Sequence, residues 1–280
     1  MPQKLPDIFI YGAGKVGSAL ANELRIYGEK VTLRGARKGL PKGAIKAPFV
    51  ILAVRDRDIG PTAEEMVRRG IVGHQKTVIV HCAGALGPEP LAGVRGPKIS
   101  VAQMHPMISF ADKAKAPFLP GGNLHVDGDP AAVRAATALG KRIGMSPRTI
   151  PGLDKVAYHA AAGLVANGAA ALAAAGLALL EKAGVSREVA AAMLGPLLSS
   201  VGGNVKALGL PAALTGPIRR GDAGAVGRHL EVLRRLQPEI VPIYLAAGEL
   251  QVPLARVLGE APAESFDAIE KVLEEGAKRG

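Results

Sequence analysis

The sequence predicts an α/β region over residues 1–150, built on a mainly parallel sheet, followed by an all-α region over residues 151–280. Three observations carry this. Short apolar runs alternate with helix-like segments through the first half, the pattern of β-α-β units whose crossovers leave their strands parallel. The runs stop near Pro151, and only helical periodicity follows. Finally, "IFIYGAGKVGSAL" (residues 8–20) sets Gly12, Gly14 and Gly17 between an apolar run and a helix, more glycine than a turn requires.

Taken in order, "DIFIYG" reads as a strand and "VGSALANELRIYG" as a helix ending near Gly28. "KVTLRG", "FVILAV" and "TVIVHCAG" supply three more strands. Before the last of these, "TAEE" offers the capping-box pair Thr62 and Glu65 as a helix start. "ISVAQMH" and "GNLHVDG" are short and strand-like, and "DPAAVRAATALGKRIG" is a helix opening at Asp129–Pro130, where proline fits the first turn. Beyond the boundary at Pro151, "LDKVAYHAAAGLVANGAAALAAAGLALLEKAG" reads as one long helix stopped by Gly184. Four more helices follow near 186–207, 222–236, 238–256 and 262–278.

Hydrophobic residues make up 48% of the 280, mostly Ala, Val and Leu, with 3% aromatic and no Trp, which favours close-packed helices and buried strands. The apolar tract "VAYHAAAGLVANGAAALAAAGLALL" is long enough to span a bilayer. It carries His and Asn among small residues, so the expectation is a buried helix of a soluble protein, with no membrane partner. The N-terminal apolar run leads straight into the glycine turn, unlike a signal peptide. Cys82 is the single cysteine, so no internal disulfide or thiolate metal site is expected. These readings place the protein in the cytoplasm. The formal charge of +11 suits nucleic acid or a small anion. Its one cluster, Arg34, Arg37, Lys38, Lys42 and Lys46, has no aromatic platforms beside it, so a small anionic substrate is expected and nucleic acid is not.

"GAGKVG" matches G-x-G-x-x-G in the setting the motif needs, after a strand and opening a helix. The first glycine permits the turn, the second lets a pyrophosphate approach the backbone, and the third lets helix and strand pack. The helix N-terminus then offers free N–H groups and the positive end of its dipole. Gly12, Ala13, Gly14, Lys15, Val16 and Gly17 are therefore expected to hold a dinucleotide, with Ala53 and Val54 beside them at the end of the third strand. NAD-binding versions carry an acidic residue about twenty positions on. Here "VTLRGARKG" has none, and Arg34 and Arg37 offer donors for a 2′-phosphate, so the expected cofactor is NADP(H). The competing reading is an ordinary basic loop.

Several residues suit carbonyl chemistry. Lys155 and His159 are four apart at the start of the long helix and share a face. Hydride delivered to a carbonyl leaves an alkoxide that needs a proton, which Lys or His can supply. The bland alternatives are an exposed lysine and a core histidine. Pro106 confines His105 to extended geometry, aiming it out of the C-terminal sheet edge, where ligands of open α/β sheets bind. In "LTGPIRRGD", Thr215, the N–H groups around Gly216, and Arg219 or Arg220 can hold a carboxylate, or else form a capping turn before a helix capped by Asp222. Asn167 lies about 120° round the helix from Lys155 and is a weaker substrate-binding candidate. His74, His125 and His229 share no spacing with carboxylates, so no metal site is expected.

"YGAGKVGSAL", "VIVHCAGALG", "MHPMISF", "LDKVAYHAAAGLVANG" and "ALTGPIRRGDAGAVGRHL" resemble the 6-phosphogluconate dehydrogenase-like superfamily, and within it proteins carrying the domain called DUF2520. The resemblance covers nearly the whole chain. It implies a Rossmann-type domain, an all-helical domain and a homodimer formed through the latter; small residues around the long helix also permit close approach of a second copy. In the wider superfamily this helix often presents K-x-x-x-N, the Lys acting on the substrate oxygen; here His159 stands where Asn would. In the prephenate-type enzymes a histidine like His105 faces the substrate. Some DUF2520 proteins are assigned as NADPH-dependent ketopantoate reductases. The expectation is therefore an NADPH-dependent reductase of a small carboxylate-bearing carbonyl compound, ketopantoate being the best single substrate. The rivals are an imine or prephenate-type dehydrogenase on the same scaffold, a non-catalytic NADP(H)-binding regulatory protein, and a nucleic-acid binder.

Overall fold

The computed structural model describes residues 5–278. The chain divides into two compact units between Ala166 and Asn167, not at Pro151. The boundary moves because the first turns of the long helix pack on the sheet through Lys155 and Tyr158.

In the first unit the strands are β1 (Ile8–Tyr11), β2 (Val31–Arg34), β3 (Phe49–Leu52), β4 (Thr77–His81), β5 (Ile99–Met107), β6 (Asn123–Gly128) and β7 (Ser146–Arg148). They form one sheet in the order β2-β1-β3-β4-β5-β6-β7. Neighbours are parallel except β5 and β6. The exception has a local cause: residues 108–122 join β5 to β6 without a helix, and a strand that returns without a crossover pairs antiparallel. β7 has no apolar run and escapes detection by sequence pattern.

β1 and β3 are buried at every position, as expected of parallel strands covered on both faces. On one face Ile8, Ile10, Ile51, Met104 and Val126 pack against Leu20 and Leu24 of α1 (Lys15–Ile26) and Ala136 and Leu139 of α3 (Pro130–Arg142). On the other, Phe9, Val50, Leu52, Ile79 and Val101 meet Ile59, Ala63 and Met66 of α2 (Ile59–Arg68).

Of two expected helix starts, the one at Thr62 differs and the one at Asp129–Pro130 is met. α2 begins at Ile59, after a 3-10 turn at Asp56–Asp58, so Thr62 lies inside the helix and makes no capping box. Glu65 instead takes Arg68 at 2.6 Å and Arg69 at 2.5 Å, cations one turn away on its own face. Asp129 does precede α3, but its carboxylate accepts from Val101 N–H at 2.8 Å and pairs with Arg95, fixing the helix start to β5.

The long helix is α4 (Lys155–Lys182), and Asp154 caps it by accepting from the Val156 and Ala157 N–H groups. In the second unit follow α5 (Arg187–Leu208), α6 (Ala223–Leu236), α7 (Val241–Leu258) and α8 (Ala263–Lys278). Asp222 caps α6 through Ala225 N–H, as its position suggested. Val226, Leu230, Leu245, Val252, Phe266, Ile269 and Leu273 join α6, α7 and α8 in one core. The expectation of a buried α4 is not met: none of its described residues is buried, and on α5 only Ala190 is. Leu172, Met193, Leu197 and Leu208 are exposed. Lys155–Lys182 and Pro238–Leu258 are long and apolar enough to cross a membrane by length and composition alone.

Candidate active site

The three glycines divide their work. At Gly12, with φ +113°, a Cβ would lie 2.1 Å from the Ala53 carbonyl oxygen, and at Gly17 it would lie 1.9 Å from the Gly12 carbonyl oxygen. Both are close backbone approaches that hold β1, β3 and α1 together. At Gly14, the residue before α1, a Cβ would meet nothing within 4 Å. This glycine keeps open the space before a helix N-terminus. It borders a cleft of about 1530 Å³ that also takes in Ala13, Lys15, Val16, the loop after β2, and Ala53 and Val54. The unfilled cradle, the free helix end and the absence of an acid at the end of β2 fit the pyrophosphate and phosphorylated ribose of NADP(H).

The two arginines do different things. Arg34 donates from Nε to the Gly39 carbonyl at 2.7 Å and from Nη2 to the Lys38 carbonyl at 2.8 Å, folding the loop onto itself. It shapes that loop and does not line the cleft, whereas Arg37 and Lys38 do. Arg55, immediately after Val54, lines it too. Sequence reading passed over Arg55, although a cation directly behind an apolar strand end was the available signal.

The register places Tyr11, Leu52, His81 and Gln103 opposite one another, so the strand ends form one row. At about 4.8 Å per strand, β5 stands roughly 14 Å from β1 along that edge. There the face that is apolar at Ile99 and Val101 turns polar at Gln103 and His105, and β6 sets His125 opposite His105 and Asp127 opposite Gln103. The first turn of α4 lies over this patch. Lys155 Nζ is 2.8 Å from Asp127 Oδ2 and 3.4 Å from both ring nitrogens of His125. The Tyr158 hydroxyl is 3.0 Å from His105 Nδ1. His159, exposed and so not a core histidine, has its ring centroid 6.0 Å from that of His105. Gly84 makes room for both: a Cβ would come 2.4 Å from His159 Nδ1 and 2.8 Å from His105 Nε2.

Burial sets the protonation. Desolvation, then the neighbouring His159, His125 and His81, lower the His105 pKa to about 4, so its ring is neutral at pH 7. Burial first, and Lys155 second, hold His125 below the usual histidine range. Burial raises the Tyr158 phenol. It also pushes the Cys82 thiol up to about 12, which leaves that sulfur unreactive. His81 is structural: its Nδ1 accepts from Ala83 N–H and its Nε2–H donates to the Gly87 carbonyl at 2.7 Å.

Lys155, His159 and His105 are thus brought together, and His125, Asp127, Gln103 and Tyr158 join them. The remaining sequence candidates belong to the helical unit. Arg219 forks onto Glu260 and donates to the Ala212 and Leu214 carbonyls, so its donors are spent on a carboxylate of the chain itself. This replaces the expected grip on a substrate, and geometry favours the capping-turn reading of that loop. Thr215 and Asn167 are exposed, and Gly216 has φ +93°, a turn position.

Fold and site define an α/β unit with a glycine-rich strand-to-helix turn, followed by a helical unit. Residues 123–250 match the family described as "Domain of unknown function (DUF2520)". A Bacteroides fragilis protein described as a candidate NADP oxidoreductase is similar in structure, with TM-score 0.66 and 21% identity over 89% of this chain and 98% of that one. A Thermotoga maritima protein gives 0.64 and 22% over the same shares. Pyrroline carboxylate reductase from Plasmodium falciparum with NADP bound gives 0.59 and 15%, again over 89% and 98%. At these identities the likeness is one of fold. No curated protein matches the chain in sequence.

Proposed function

We propose that the protein is an NADP(H)-dependent oxidoreductase that reduces a small carbonyl compound bearing a carboxylate, with ketopantoate as the first substrate to try. The observation that carries this reading is the shared sheet edge: the Gly14 cradle at β1 and the Lys155–His105 patch at β5 lie along one row of strand ends. The NADP-bound state of a structural relative supports the cofactor. When bound, NADPH supplies hydride. Lys155 Nζ, already directed by Asp127, hydrogen-bonds the substrate oxygen and delivers the proton that the developing alkoxide takes. The neutral His105 ring orients substrate by hydrogen bonding and does not act as an imidazolium acid. Tyr158 fixes that ring through Nδ1.

We also propose a soluble, cytoplasmic homodimer in which a second copy covers the exposed apolar residues of α5, among them Met193, Leu197 and Val201. Ser199, Ser200, Asn204 and Lys206 interrupt that helix and suit a protein neighbour better than lipid. The functional test is a panel of 2-oxo acids and cyclic imines with NADPH, followed by loss of nicotinamide absorbance. Turnover of a 2-oxo acid supports the reading, and turnover of imines alone moves the protein to the imine class. NADPH binding with no turnover on either panel identifies a cofactor sensor.

A further inference from the structure

Gln103 is fully buried, and its amide can be oriented from its neighbours alone. One end lies 3.0 Å from the Ala83 carbonyl oxygen, which only accepts, so that end is the NH2. The other end, Oε1, lies 2.9 Å from His125 Nδ1 and must therefore receive a proton from it. His125, 3% exposed, is then the Nδ1–H tautomer, and its Nε2 carries the free lone pair. Lys155 Nζ sits 3.4 Å from both ring nitrogens, against the face of the ring and not along the lone pair of either. Asp127 takes one of the three ammonium protons, the uncharged His125 ring lies beside the ammonium, and donors remain for a substrate oxygen.

Resting on the reductase reading above, we propose that Gln103 is a positioning residue: it holds His125 as the neutral Nδ1–H tautomer, the uncharged ring against which the Lys155 ammonium rests while Asp127 directs it. The chain runs from the Ala83 carbonyl through Gln103 and His125 to Lys155, and Asp127 anchors its end. Protonation of His125 breaks it, because an imidazolium would then lie 3.4 Å from an ammonium. The groups facing His125 are Lys155 and Tyr158 from α4, Asp127 on its own strand, and His105 and Gln103 from β5. From β7, Arg148 stands in register with His125 and donates to Asn123. Asp127 is the only carboxylate among these described groups, and Lys155 neutralises it.

The test is nitrogen-15 NMR of labelled histidines in the full chain, free of cofactor and substrate. The expected wild-type spectrum shows His125 as the neutral Nδ1–H tautomer at neutral pH; an Nε2–H ring or an imidazolium there overturns the proposal. Gln103→Glu puts a carboxylate against Nδ1 and is expected to raise the His125 titration by about one to three pH units. An unmoved titration refutes the coupling. Gln103→Met keeps the volume without the acceptor, and a ring still locked as Nδ1–H in that variant also refutes it. With an active substrate, Gln103→Glu should shift the acidic limb of kcat/KM upward by the same amount while the KM for NADPH stays fixed; an unshifted limb refutes the link to Lys155. A wild-type protein with the Nδ1–H signature but no turnover supports the tautomer assignment and counts against the reductase reading.

Discussion

Gly14→Ala separates cofactor binding from folding. Gly14 has φ −79° and ψ −165°, which alanine adopts freely, and its added methyl would meet nothing within 4 Å. Alanine is a poorer residue than glycine before a helix, but it also has less chain entropy to lose on folding. These effects oppose each other, so the stability change should stay within about 1 kcal/mol. The methyl, however, occupies the side from which a phosphate reaches the N–H groups opening α1. Loss of one charge-assisted hydrogen bond costs about 1.5–3 kcal/mol. That corresponds to roughly tenfold to a hundredfold weaker NADPH binding. Calorimetric titration gives the affinity and thermal unfolding gives the stability. Gly12→Ala and Gly17→Ala serve as contrasts, since each would drive a methyl into backbone oxygen and should lose fold and binding together. Wild-type affinity in a folded Gly14→Ala protein would refute the cradle.

Arg37→Ala combined with Lys38→Ala should weaken NADPH by roughly tenfold or more and leave NADH unchanged, since both residues line the cleft; an unaltered NADPH-to-NADH ratio in titrations removes the 2′-phosphate assignment. Lys155→Met should lower turnover by about a hundredfold, the scale of one general acid, with NADPH affinity intact. It should also let His125 titrate higher, because Lys155 is among the causes that depress it; near-normal turnover moves the proton donor elsewhere. Met193→Glu with Leu197→Glu should convert the proposed dimer to a monomer in solution scattering, and a wild-type monomer at all concentrations ends the dimer proposal.

The cradle was legible because its parts are contiguous. Strand, three glycines and helix occupy one short stretch: Gly12 and Gly17 answer to backbone contacts that no side chain permits, and Gly14 leaves open the space before the helix. Arg34 shows the limit of that reading: two arginines three positions apart look equivalent until the carbonyls of Lys38 and Gly39 claim one of them. Arg219 fails in the same way over a longer span, because Glu260, on a different segment, supplies the carboxylate. Charged side chains are assigned badly from sequence wherever a partner from the chain itself can satisfy them. The capping box at Thr62 fails because α2 starts earlier, at Ile59, and Glu65 then pairs with two arginines one turn beyond it.

The polar patch around Lys155 needs a different kind of reading. Lys155, Tyr158 and His159 are close in sequence and suggest a site, but what orients them comes from strands far upstream. The signal in those strands is phase. In β5, Ile99 and Val101 point into a dry core, and the next two residues of that same face are Gln103 and His105. A polar side chain at a core-facing position costs free energy unless it is hydrogen-bonded. Two in succession near the C-terminal end of a parallel strand therefore imply partners, and that end is where α/β sheets bind ligands. Read with β6, where His125 and Asp127 follow the same alternation, the pattern places four polar groups on one patch before any coordinates are seen. It cannot say that Lys155 closes over them, since that depends on where α4 docks. The strands thus set the polar patch, and the helix brings Lys155, the cation to which the proposed reduction assigns the proton.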